Sequence, residues 1–176
     1  MELELKYKVK EFPVELVKTL GFVKSKESHQ IDRYFIVNKI LNKKRTYLRL
    51  RQDILKETFS FDLHQIISDI AADETEIALH STNDISGMEK ILNVLGYPFV
   101  CEVDKHRTVY KKDNIKLVFD IVKNLGNFIE IEMIGDETQE NENILFQAAK
   151  QLSLEEKDRV VKKGYPDLIL SETHTA

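Results

Sequence analysis

The first ten residues alternate without a break: Glu2, Glu4, Lys6 and Lys8 fall on one face of an extended chain, and Leu3, Leu5, Tyr7 and Val9 on the other. A period of two marks a strand with two chemically different faces. Residues 46–52 repeat the pattern, setting Tyr47, Arg49 and Arg51 against Leu48 and Leu50. Residues 22–37 read as extended chain, and 58–64, 73–80, 99–110, 115–122 and 128–134 as further strands. Lys112-Asp113-Asn114 and Asn124-Leu125-Gly126-Asn127 supply the turns between the last three. Helical spacing interrupts this series. Residues 13–20 open on Pro13 and stop at Gly21, and residues 84–95 carry Ile85, Met88, Ile91, Leu92 and Leu95 on one stripe before Gly96. A helix is expected over 138–152, and a capping box of Ser153 and Glu156 predicts another that runs to Gly164. Residues 65–72 fit either a loop or a helix, and 38–45 form a polar, basic turn.

Composition narrows the class. The chain has 176 residues, of which 42% are hydrophobic and 32% charged, with 6 Gly, 3 Pro and no Trp. That excludes a low-complexity or linker protein and allows a core that buries roughly two thirds of the unfolded surface. No boundary or repeat is visible, so one domain over 1–176 is expected. A net charge of −4 gives no general attraction to nucleic acid or to an anionic membrane, so any anion site must be local. The start is charged from Glu2 and no apolar run reaches membrane-spanning length, which points to a cytoplasmic protein. Cys101 stands alone and reads as a packing residue. His29, His64, His80, His106 and His174 show no metal-ligand spacing.

The strands share one odd property. Glu2-x-Glu4-x-Lys6, Arg49-x-Arg51, Glu74-x-Glu76, Lys105-x-Arg107 and Glu130-x-Glu132 all place charge on one face, and Asp120 lies between Phe119 and Ile121. If helices cover the apolar faces, the charged faces must line the concave side of a curved sheet. Alternate residues stand about 7 Å apart, a spacing suited to neighbouring phosphates or a shared metal. Arg and Lys bind phosphate in complementary ways, and carboxylates supply hard oxygen ligands for magnesium or manganese. Together the set suggests phosphoryl or nucleotidyl chemistry. Any one pair alone is an ordinary solvated strand face; Tyr34-Phe35 reads as packing and the basic run 39–45 as a solvated loop.

The motifs, taken in order, resemble the CYTH superfamily of triphosphate tunnel metalloenzymes, which includes class IV adenylyl cyclases and thiamine triphosphatases. ELELK resembles the family's ExExK signature, YLRLR its paired-arginine strand, and VDKHRTVY its KxR strand; FDIVKNLGNFIEIE resembles its late Asp and closing ExE. The resemblance implies an α+β fold: a closed antiparallel β-barrel, or tunnel, of about eight strands with helices packed outside. It implies that Lys6, Arg49, Arg51, Lys105 and Arg107 bind phosphate, with Lys6 and Arg107 catalytic. It implies magnesium or manganese on Glu2, Glu4, Asp120, Glu130 and Glu132. The implied partner is a small triphosphate such as ATP, thiamine triphosphate or tripolyphosphate, with neither nucleic acid nor membrane, and a homodimer is compatible with it. The expected reaction is cyclisation of ATP to cyclic AMP and pyrophosphate, the alternative hydrolysis of a terminal phosphate. One departure stands out: the family has a lysine on the strand after the paired arginines, and here Asp62 occupies that place in Phe59-Ser60-Phe61-Asp62. That substitution leaves open a module that binds a triphosphate without turning it over.

Overall fold

The computed structural model describes residues 1–36, 46–161 and 163–173; the basic turn expected over 38–45 lies outside the described residues. Eight strands form the barrel: β1 (Glu2–Val9), β2 (Val23–Ile36), β3 (Thr46–Asp53), β4 (Thr58–Ile66), β5 (Ala71–Leu79), β6 (Phe99–Lys112), β7 (Ile115–Val122) and β8 (Gly126–Ile134). Their order is β5-β4-β3-β2-β6-β7-β8-β1, and β5 returns to β1 to close the ring. Every pairing is antiparallel. Closure is narrow, resting on Glu2 opposite Ala72 and Leu3 opposite Ala71. Further along that edge of β1, a two-residue strand β9 (Arg159–Val160) sits opposite Lys6 and Tyr7.

Alternation decides which way each side chain points. Leu3, Leu5, Ile129, Ile131 and Met133 face outward, where Val17 of α1 (Val14–Thr19) and Leu145, Ala148 and Ala149 of α3 (Gln139–Gln151) bury them. Each such Leu or Ile contributes about 1.5–3 kcal/mol by leaving water. Leu92 of α2 (Thr82–Val94) covers Phe35 and Leu50 in the same way. With the apolar face sealed under helices, the charged positions turn into the lumen. The α+β barrel implied by the family resemblance is the observed fold.

Helix ends follow local chemistry. After α1, Gly21 takes a φ of 86° while its N–H bonds to Lys18 O; after α2, Gly96 takes 81° and bonds to Asn93 O. These left-handed closures need glycine. The ambiguous stretch 65–72 resolves into the end of β4, a turn in which Ser68 Oγ accepts from the Ile70 and Ala71 N–H groups, and the start of β5. The expected helix over 153–164 does not form. Ser153 instead adopts a φ of 56° and terminates α3, with its N–H bonding to Lys150 O and that of Leu154 to Ala149 O. A residue in that conformation cannot act as an extended N-cap. Residues 156–158 make one 3-10 turn, β1 captures Arg159 and Val160, and the last helix, α4, begins later (Tyr165–Thr173).

Candidate functional site

The inward faces of the strands enclose a cavity of about 480 Å³. Glu2, Glu4, Lys6, Arg49, Arg51, Lys105, Arg107, Glu130 and Glu132 all line it, so residues from both ends of the sequence meet at one place. Antiparallel register accounts for the pairings. Lys6 lies opposite Glu130, Arg107 opposite Asp120, Arg51 opposite Asp32 and Arg49 opposite Asp62. Each opposition becomes an ion pair, because cross-strand neighbours on one face stand about 5 Å apart at Cβ.

Each cation is paired with at least one carboxylate. Lys6 Nζ lies 2.9 Å from Glu4 Oε1 and 3.0 Å from Glu130 Oε1. Arg49 Nε donates to Asp62 Oδ2 at 2.7 Å. Arg51 grips Asp32 with two bonds, Nε to Oδ1 at 2.7 Å and Nη2 to Oδ2 at 2.8 Å. Lys105 Nζ donates to the same Asp32 carboxylate. Arg107 takes Asp120 through both Nε and Nη2 and reaches Glu130 Oε2 at 2.6 Å. Asp32, Asp62 and Asp120 are fully buried behind these cations. Burial opposes ionisation of Asp32, yet Arg51 and Lys105 hold it well below the usual carboxylate range. Lys105 itself is desolvated, and despite Asp32 the nearby Arg51 and Arg107 help bring it down to about 8.

Opposite this basic wall, one oxygen from each of Glu2, Glu4 and Glu132 lies within 4.8 Å of the others. Nearby Lys6 and Arg107 do not offset their burial and mutual repulsion. Burial, then Glu2, pushes Glu132 up to about 8; burial and Glu74 raise Glu2, and burial and Glu130 raise Glu4. Lys116 offers partial relief, with Nζ 3.5 Å from Glu132 and 3.8 Å from Glu2. Three crowded, part-desolvated carboxylates of this kind fit a hard divalent cation, which would keep all three ionised. Glu130 and Asp120, grouped with them by resemblance, are instead engaged by Lys6 and Arg107. Glu76 is exposed, whereas Glu74 lines the cavity, accepts from His64 Nδ1 at 2.6 Å and lies 3.6 Å from Arg49 Nη2. Burial opposes ionisation of Glu74, but His64 and Arg49 bring it down to about 2.

Two residues to which the sequence assigns no role in the site, Asp32 and Tyr165, take part in it. Asp32 joins Arg51 to Lys105; its signal was the polar row Ser28-x-Gln30-x-Asp32 hidden in a stretch read only as extended. Tyr165, at the start of α4, enters the lumen and donates its hydroxyl to Asp120 Oδ2 at 2.8 Å. Its ring lies 4.7 Å from Lys6 Nζ and 5.6 Å from Lys105 Nζ. With Tyr34, Tyr47 and Phe128 it closes one end of the lumen, where Tyr47 OH and Asp167 Oδ1 are 2.6 Å apart. Cys101 packs in that cluster, and burial pushes its thiol up to about 11, as befits a packing residue.

The family model described as the CYTH domain matches residues 1–165. A protein of Methanocaldococcus jannaschii, provisionally named an adenylate cyclase, is 29% identical over 174 residues, covering 96% of this chain and 98% of its own. A conserved hypothetical protein of Pyrococcus furiosus superposes with a TM-score of 0.83 at 25% identity, covering 96% of this chain and 99% of that one. A Hippeastrum protein, provisionally named an adenylyl cyclase and described as having a dominant triphosphatase activity, gives a TM-score of 0.65 at 16% identity; 98% of this chain and 95% of that one are covered. No helix among the described residues is long and apolar enough to cross a membrane.

Proposed function

Because the chain belongs to the CYTH domain family, we propose that it is a divalent-metal-dependent enzyme acting on a small triphosphate, converting ATP to cyclic AMP and pyrophosphate. One observation carries this reading: four cations, Arg49, Arg51, Lys105 and Arg107, face the Glu2, Glu4 and Glu132 carboxylates across a single cavity. The name of the Methanocaldococcus relative supports it. Magnesium or manganese on Glu2, Glu4 and Glu132 would supply a Lewis acid and neutralise phosphate charge.

The chain's own residues supply positioning. Phosphoryl and nucleotidyl transfer depend mainly on alignment and on stabilising charge spread over phosphate oxygens. Arg51 and Arg107 present guanidinium groups whose orientation is fixed by Asp32 and Asp120, so little reorganisation is needed when phosphate binds. Lys105, at about 8, can hold or release a proton at Nζ near neutrality. Tyr165 and its neighbours exclude water from the closed end. Asp62 orients and neutralises Arg49, as Asp32 does Arg51 and Asp120 does Arg107.

A second reading is hydrolysis of the terminal phosphate of thiamine triphosphate or tripolyphosphate. It is favoured by the activity described for the Hippeastrum relative. Incubation with ATP, thiamine triphosphate and tripolyphosphate in magnesium or manganese, with products resolved, decides between them. Cyclic AMP with pyrophosphate supports the first reading and orthophosphate the second; no turnover of any of the three rejects both and leaves a binding module.

A further inference from the structure

His64 of β4 lines the lumen, two residues beyond Asp62 on the same inward face. Its Nδ1 lies 2.6 Å from Glu74 Oε1 on β5, the residue directly opposite. An ionised carboxylate can only accept, so Nδ1 carries the ring proton and Nε2 of the neutral imidazole keeps a lone pair. Among the described residues Nε2 has no hydrogen-bond partner. A carboxylate-oriented imidazole on the wall of a reaction cavity has the make-up of a general base.

The strands place this ring at a junction. Between Glu4, whose N–H donates to Ile70 O, and Lys6, where β9 begins, β1 changes neighbour. A second cavity of about 80 Å³ lies at that break, with Ser68, Asp69, Arg159 and Lys163 on its wall. Glu4, Lys6, His64, Ile66 and Gly164 line both this cavity and the lumen, so the two spaces adjoin beside His64. The volume accommodates water. Other basic groups of the lumen are worse placed to take a proton and hand it on. Lys6 Nζ is shared between Glu4 and Glu130, Lys105 is only 1% exposed and held by Asp32, and guanidinium groups keep their protons near neutrality. His64 is half-buried, with the seam cavity next to it.

We propose that His64 is a catalytic residue: it accepts the proton of the attacking water or hydroxyl and passes it outward through the seam cavity, while Glu74 holds the ring and balances the imidazolium. As the nucleophile's oxygen bonds to phosphorus, the bond from phosphorus to the leaving phosphate oxygen breaks, and that oxygen keeps the electron pair. The nucleophile's proton goes to Nε2 and from there to solvent. This role rests on the triphosphate-enzyme reading and serves either of its two reactions.

Steady-state kinetics in magnesium with ATP, thiamine triphosphate and tripolyphosphate test it. H64Q separates chemistry from structure, because a glutamine amide can still donate to Glu74 but cannot take up and release a proton. Its kcat is expected to fall about 100-fold or more, with KM changed by less than about threefold and the melting temperature retained. In H64A, added imidazole should restore at least about tenfold of the lost rate, a response that a purely structural histidine would not give. A kcat in H64Q close to that of the wild type, or a loss in H64A that imidazole leaves untouched, overturns this role alone. No turnover of any of the three substrates by the wild type overturns the proposed function and this role with it.

Discussion

Glu132 shows how a single side chain couples folding to ligand chemistry. Its pKa, up to about 8 through burial and Glu2, exceeds the ordinary 4.5, so the native chain holds this proton where the unfolded chain has released it. Stability from this group is therefore greatest below pH 4.5 and declines as pH rises towards 8. In chelator, the melting temperature should fall between pH 5 and 8, and E132Q should flatten that slope. Magnesium or manganese competes with the proton, so the stabilisation each gives should grow over the same interval; a metal effect independent of pH would remove Glu132 from the site. Arg107 carries the opposite lesson. Replacing it with Ala leaves Asp120 buried without its cation and Glu130 with Lys6 alone, and loss of about 3–5 kcal/mol is expected in denaturant unfolding. Y165F should cost about 0.5–1.5 kcal/mol by removing one of the two hydrogen bonds to Asp120 Oδ2, which Arg107 Nη2 still contacts, with phosphate affinity less affected than in R51A.

At the scale of elements, the strands were legible because polar and apolar residues alternate through Glu2–Val9, Thr46–Asp53 and Gly126–Ile134, and one period sets both pleat and chemistry. Helices α1 and α2 were legible through their closing glycines. What stayed hidden depends on contacts distant in sequence. Ser153 has the composition of a cap, but its role is fixed by the preceding helix; Arg159 and Val160 become a strand only because β1 offers an open edge. Asp32 could be placed in the lumen only once β2 was registered between β3 and β6. Glu130 likewise reads as a partner of Glu132 in sequence, yet in space Lys6 and Arg107 claim it. The anion behind Arg49 makes a further prediction. D62K, which places lysine where the family has it, should destabilise the barrel, because a fully buried position would then set a cation against Arg49. Thermal melts in the absence and presence of tripolyphosphate check this: a recovery of melting temperature by the ligand would show that phosphate can replace the lost carboxylate.

At the scale of the molecule, the barrel is unevenly sewn. The seam from β5 to β1 consists of two residue pairs, whereas β7 and β8 pair along their whole length. Residues 73–78 of β5 are exposed. Hydrogen exchange should be fastest along β5 and slowest in β7 and β8, with opening at the seam well below the free energy of global unfolding. The same closed ring ties the position of every side chain to its neighbours around the circumference. Removing one residue within β8 would exchange Glu130 and Glu132 for Ile129 and Ile131, driving carboxylates under the helices and greasy chains into the lumen. Insertions and deletions should thus survive only in connecting turns, while the strands tolerate point changes but never a change in length.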